Sequence, residues 1–182
     1  MFTGNRDYNE IYQQYKDLVF RIAFIYSGRD FHTAEDISQD IFEDLYRGFE
    51  NFDRTKIKGW MTKVARNKAI NYRKKHEKEF FSEDYDSIVE SSLVTDSIEE
   101  EYLEDIRKEE RNNLGGDILL GLMEKNPRWH DAVLYAYYVG MPQDKVAEQM
   151  GVSLQVVHSM LHRAREWMKK TYGVEYEEMN IK

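Results

Sequence analysis

Residues 56–78, KIKGWMTKVARNKAINYRKKHEK, interleave side-chain amides with cations. Lys63, Asn67, Asn71 and Lys74 recur at spacings of four, four and three, and Arg66, Lys68 and Arg73 flank them. An amide both donates and accepts, so Asn67 and Asn71 can read the Watson–Crick edge of an unpaired base. The cations neutralise phosphates and impose salt dependence without reading sequence. On a helix the four residues form one stripe, and Ile57, Trp60, Met61, Val64, Ala65, Ala69 and Tyr72 form a packing side. Trp60 has two readings, stacking platform and core aromatic; helical spacing favours the core, and it is kept as a secondary member of the stripe.

A second set lies in residues 141–165, MPQDKVAEQMGVSLQVVHSMLHRAR. Small Ala147 suits a helix crossing, Gly151 a turn with positive φ, and Ser153 the N-cap of a following helix. Val146, Met150, Val152, Val157 and Met160 supply the shared core. Those features describe a helix-turn-helix, whose second helix enters the DNA major groove by its N-terminal residues. Here they are Leu154, Gln155, Val156 and His158, with Ser159 beside them. His158, His162 and Glu166 also have a spacing that could hold zinc, but the third ligand and the H-E-x-x-H base are missing, so no metal site is expected. Neither a Gly-rich phosphate loop nor a nucleophile elbow is present, which argues against an enzyme, and no cofactor is expected.

The charge layout sharpens the contrast. The 182 residues carry a formal net charge of -8. Residues 1–78 hold fifteen basic against twelve acidic side chains, 79–117 three against fourteen, and 118–182 eight of each. Within the first part, residues 54–78 set ten basic side chains against the single acid Glu77. A local excess of this kind is the electrostatic footprint of a nucleic-acid strand, while acidity elsewhere limits indiscriminate binding. Cysteine is absent, which excludes disulfides and thiolate metal sites; with no early apolar run, a cytoplasmic protein without membrane insertion is expected.

The elements that must hold these residues are helical. Two prolines and long stretches rich in Glu, Lys, Ile and Met favour helix over strand. Ile11, Tyr15, Leu18, Val19, Ile22 and Ile25 mark an apolar face over 8–26, and Gly28 ends that helix. Thr33 and Asp36 have the form of a capping box before a helix carrying Ile37, Ile41, Leu45 and Phe49. Asp36, Gln39, Asp40, Glu43 and Arg47 lie on its other face. Residues 79–113 read as an acidic linker with one helix from about Ser97 to Arg111, closed by Gly115 and Gly116. Asn126 and Pro127 start a helix in which Val133, Leu134, Tyr137 and Tyr138 run to Gly140. The expected fold is all-α: two small helical domains, 1–79 and 114–182, joined by the linker 80–113, the second containing the helix-turn-helix.

In this order, AEDISQDIF at 34–42, GWMTKVARNKAINYRKK at 59–75, the acidic linker and VAEQMGVSLQVVHSMLHRAREWMKK at 146–170 resemble bacterial RNA polymerase sigma factors of the two-domain extracytoplasmic-function group, over nearly the whole chain. The resemblance implies a transcription initiation factor that docks on core RNA polymerase, directs it to promoter DNA and promotes melting. It places polymerase binding, to the β′ clamp helices, on Asp36, Gln39, Asp40 and Glu43. The minus-10 surface falls on the loop from Asn51 to Lys58 and on Trp60, Lys63, Arg66, Asn67, Asn71, Arg73 and Lys74. Region 4, the minus-35 reader that meets the β flap, falls on the second domain, at Gln155, His158, Ser159, His162, Arg163 and Arg165. An anti-sigma factor is a further partner the resemblance admits.

The second helix of region 4 departs from the pattern S-x-x-T-V-K-S-R-L-H-R-A-R, with Val156 for Thr, His158 for Lys and Met160 for Arg. Three polar contacts are therefore expected to be missing, leaving Gln155 as the candidate base reader and Lys169 and Lys170 as further phosphate contacts. In the family the linker threads the polymerase channel; here it could also fold back and mask the basic stripe. Two alternatives remain: a stand-alone helix-turn-helix regulator, and a degenerate sigma-like protein that sequesters a partner.

Overall fold

A computed structural model of the chain describes residues 6–80 and 113–180. All regular structure among the described residues is helical, in two units, one within Met1–Tyr85 and one within Asp86–Lys182. The acidic linker, with the helix expected from Ser97 to Arg111 and any fold-back onto the basic stripe, lies outside the described residues.

The first unit contains α1 (Arg6–Tyr26), α2 (Phe31–Gly48), a 3-10 turn (Phe49–Asn51) and α3 (Ile57–Phe80). Each helix packs against the other two. The apolar rows meet in one core: Val19, Ile22 and Ala23 from α1, Ile37, Ile41 and Leu45 from α2, and Ile57, Met61, Ala65 and Ala69 from α3. Each large side chain buried there contributes roughly 1.5–3 kcal/mol. Tyr8 closes one end. Its fully buried hydroxyl donates to the Phe42 carbonyl at 2.9 Å, and its ring meets Tyr46 and Phe49 edge-on. Burial, reinforced by neighbouring Tyr12, Tyr46 and Glu43, pushes the Tyr8 phenol up to about 12.

The start of α2 differs from the capping box expected at Thr33. The cap is Asp30, whose extended backbone aims Oδ1 at the Thr33 amide, 2.8 Å away. A carboxylate at this position satisfies an otherwise orphan N–H and faces the positive end of the helix dipole. Thr33 itself is buried in the first turn.

The second unit contains α4, a helix described over 113–125, then α5 (Pro127–Val133), a π-helical turn (Leu134–Tyr138), α6 (Gln143–Met150) and α7 (Leu154–Asn180). Gly115 and Gly116 do not end a linker; both lie within α4, where Gly116 is buried, so packing outweighs their poor helix propensity. Further along α4, a Cβ on Gly121 would run into the Tyr172 hydroxyl and come within 3.3 Å of the Trp167 ring. Asn126 caps α5 as its sequence implies, accepting from the Arg128 and Trp129 amides at 3.0 and 3.1 Å.

Beyond Val133 the expected face slips. Val139 N–H donates to the Leu134 carbonyl, five residues back, at 2.9 Å. The wider π turn rotates the chain, so Tyr135 is buried while Tyr137 is 49% exposed. Periodicity at a constant 3.6 residues per turn misplaces that pair.

Candidate nucleic-acid interface

Entry into α3 is built by the loop before it. Asp53 Oδ1 accepts from the Thr55 hydroxyl at 2.7 Å and the Thr55 amide at 3.0 Å, a local turn of the type aspartate favours. The Thr55 hydroxyl, then its amide, and with them Lys56, hold the Asp53 carboxyl below its usual range. Arg54 donates to Asp7 on α1 at 2.6 Å and lies 5.3 Å from the Phe49 ring centre. The loop is thus tied to α1 and the 3-10 turn before α3 begins.

On α3, Lys63, Asn67, Asn71 and Lys74 are all exposed and, at about 100° per residue, fall within about 80° of one another. Arg66 lies beside Asn67, its Nε and Nη2 each 3.4 Å from Asn67 Oδ1. Arg73 is exposed on the same flank as Arg66. Trp60 is not part of the buried row: it is half-buried, packs edge-on against Phe52 at 4.7 Å, and precedes Asn67 and Asn71 by seven and eleven residues, which puts it in line with them. One turn from the helix end, the half-buried rings of Tyr72 and His76 lie 4.4 Å apart, tilted by 31°; the i,i+4 spacing is the signal for the pair, of which the sequence reading places only Tyr72, on the packing side.

The ten basic side chains of 54–78 are not equivalent. Arg54 is engaged by Asp7, Lys56 by Asp53, and Lys68 by Asp40 and Asp44 of α2 at 3.1 and 3.4 Å. Lys68, read from sequence as a phosphate contact, instead joins α3 to α2. Among the described residues Lys63, Arg73, Lys74 and Lys75 form no ion pair and are exposed. Lys75, seven residues after Lys68, lies on the Lys68 flank of the stripe, and its place in the basic run marks it as a further available cation.

The neighbouring face of α2 is acidic. Asp36, Gln39 and Asp40 are exposed and Glu43 is half-buried. Gln39 donates to Glu43 Oε1 and Arg47 to Glu43 Oε2, both at 3.3 Å, so Glu43 is engaged within its own helix. Asp36 has no such partner among the described residues.

In the second unit Gly151 caps α6 with φ +64, and the Val152 amide donates to the Ala147 carbonyl at 3.0 Å, the turn expected for a helix-turn-helix. Ser153 then presents its hydroxyl to the Val156 amide at 3.4 Å. Val146, Ala147, Val157, Met160, Leu161 and Ala164 form the shared core. Gln155, His158, Ser159, His162, Arg163 and Arg165 are all exposed on α7, as are Lys169 and Lys170. Arg165 Nε also donates to the Leu161 carbonyl at 3.3 Å.

Met160 corrects one expectation. It is 7% exposed and belongs to the core, so position 160 offers no outward contact to lose. Only Val156 and His158, of the three departures, face outward. Leu154 and Val156 are 42% and 39% exposed.

Comparison with known proteins finds a separate family match in each of the two units. Residues 11–79 match the Sigma-70 region 2 family and residues 126–168 match Sigma-70, region 4. The chain is 33% identical over 168 residues to the ECF RNA polymerase sigma factor SigM of Bacillus subtilis, covering 91% of this chain and 94% of that protein. It is 27% identical to the ECF RNA polymerase sigma factor SigE of Mycolicibacterium smegmatis over 89% of this chain, which spans 60% of that protein's length. In fold it resembles the sigma factor RpoE of Bartonella quintana, solved in complex with the anti-sigma factor NepR, with a TM-score of 0.52 at 19% identity, covering 91% of this chain and 96% of that one. With its region 2 and region 4 matches in chain order and its likeness to SigM over nearly the full length of both, the chain belongs to the extracytoplasmic-function sigma factors of RNA polymerase.

Proposed function

We propose a division of labour for this sigma factor, a transcription initiation factor that directs RNA polymerase to promoters. The domain at 1–79 docks on the β′ clamp helices of core polymerase through Asp36, Gln39, Asp40 and Glu43. Its other face takes the melted minus-10 strand on Lys63, Arg66, Asn67, Asn71, Arg73 and Lys74, with Trp60 as a stacking surface. The domain at 114–182 takes duplex minus-35 DNA on Gln155, His158, Ser159, His162, Arg163 and Arg165 and meets the β flap. The acidic segment 80–113 joins them. Bond-making chemistry stays with the polymerase, and the work is done in the cytoplasm; among the described residues no helix is long and apolar enough to cross a membrane. An anti-sigma partner is part of the proposal, supported by the RpoE complex with NepR.

One observation supports this reading above the others: a single three-helix unit bears an acidic face on α2 and, beside it on α3, exposed amides among the exposed cations Lys63, Arg73 and Lys74. A basic strand-binding surface and an acidic docking surface on one rigid body let polymerase attachment present the ridge to DNA. The test mixes the full chain with core polymerase and follows co-elution and initiation from a fork-junction template. Asn67→Ala or Asn71→Ala is expected to lower opening about tenfold with polymerase affinity unchanged, each lost base contact being worth about 1–3 kcal/mol. Asp36→Lys is expected to weaken co-elution first. Palindromic duplex binding without polymerase, and no co-elution, would instead identify a stand-alone regulator.

A further inference from the structure

Leu154 and Val156 stand at the first and third positions of α7, 42% and 39% exposed, on either side of exposed Gln155. At about 100° per residue their side chains diverge to the two flanks of the Gln155 direction. An exposed leucine by itself is ordinary in a folded protein. Two aliphatic side chains bracketing an amide, on the turn that a helix-turn-helix directs at base edges, have a defined chemical counterpart. In the major groove the thymine C5-methyl is the apolar group on a base edge, and a glutamine amide matches the N6 and N7 of adenine.

The charge of the helix says what kind of surface this is. Beyond the first turn the exposed face continues through His158, Ser159, His162, Arg163, Arg165, Lys169 and Lys170. From 154 to 170 the one acidic residue is Glu166, against four Lys and Arg side chains. A cationic helix with an apolar tip fits a groove walled by phosphates with methyl groups on its floor.

We propose that Leu154 and Val156 are specificity-determining residues that select thymines flanking the base pair contacted by Gln155, through contact with their C5-methyl groups. This rests on the reading of α7 as the minus-35 helix and adds to it. Val156 then replaces the hydroxyl contact of the family pattern with an apolar one of the same shape, and duplex recognition is altered in kind.

The test uses holoenzyme assembled from the full chain and core polymerase. Its preferred minus-35 duplex is first selected from a pool randomised in that window, and each thymine is then replaced in turn by deoxyuridine, which removes only the methyl. Affinity is expected to fall about fourfold at one or two positions, the worth of one buried methyl group. Val156→Ala and Leu154→Ala should each become insensitive to one of those replacements, with helix content unchanged. The inference is overturned if the selected duplex contains no thymine in the window, if no replacement changes affinity, or if both variants keep the full methyl dependence. It is also overturned if the variants lose polymerase binding instead, which would make the apolar tip a protein contact. Failure to enrich any sequence in the window would overturn the minus-35 reading itself, with the inference, and is distinguishable from every other outcome.

Discussion

Lys68 Nζ lies 3.1 Å from Asp40 Oδ2, so a member of the basic run is held by a member of the acidic face. With Asp44 at 3.4 Å, the contact joins the two proposed working surfaces of the first unit. Lys68 is 34% exposed and Asp40 65%, and an ion pair so open to water is worth less than about 1 kcal/mol. Its consequence is one of assignment: a change at Asp40 also releases the Lys68 charge beside the strand surface, whereas changes at Asp36 and Lys63 each report on one surface.

Salt dependence separates engaged from available cations. The log–log salt slope for holoenzyme binding to single-stranded minus-10 DNA is expected to fall by about 0.7 for Lys63→Ala or Lys74→Ala, one phosphate contact each. Lys68→Ala should leave the slope unchanged within error, because its charge is directed at Asp40 and Asp44. A titration series across salt concentrations reads both.

Gly151→Ala places a Cβ at φ +64, where an L side chain meets its own carbonyl. The expected loss is about 1–2 kcal/mol, confined to the second unit. Hydrogen exchange should show weakened protection in α6 and α7 and none in α1 to α3, with minus-35 duplex affinity reduced alongside.

Gly121→Ala introduces a methyl where the Tyr172 hydroxyl already sits, and its cost is expected to be about 1–2 kcal/mol. Tyr172→Phe removes the obstructing oxygen, along with a long hydrogen bond to the Asp117 carbonyl at 3.4 Å. The double variant should therefore be more stable than Gly121→Ala alone. Urea midpoints for the four members of the cycle check the coupling.

Tyr8 sets an alkaline limit on the first unit. The phenol's ordinary value is 10.0 and its folded value is about 12, so the folded state holds the proton more tightly. Stability from this group is complete below about pH 10 and declines as pH rises towards 12, by at most about 1.4 kcal/mol per pH unit. Tyr8→Phe should be about 1 kcal/mol less stable at pH 8, having lost the bond to Phe42, and the gap should narrow by pH 11. Urea unfolding of both proteins at the two pH values measures it.

Local chemistry was readable from the residues themselves. A three-or-four spacing forces side chains onto one face whatever the helix packs against, so the Ile37, Ile41 and Leu45 row and the Lys63, Asn67, Asn71 and Lys74 stripe needed no partner to be recognised. Gly151 and Asn126 declared themselves because positive φ and an N-cap acceptor demand particular residue types. What depended on neighbours distant in sequence did not. Lys68 meets carboxylates 24 and 28 residues away, Met160 turns into a core completed by α6, and Gly116 is buried in spite of its helix propensity. The π turn at Leu134–Tyr138 moved Tyr135 inward by changing the period itself. Periodicity and capping are properties of a short segment and are written there; the partner of a charge, and which side of a helix is sealed, are decided when separate segments meet.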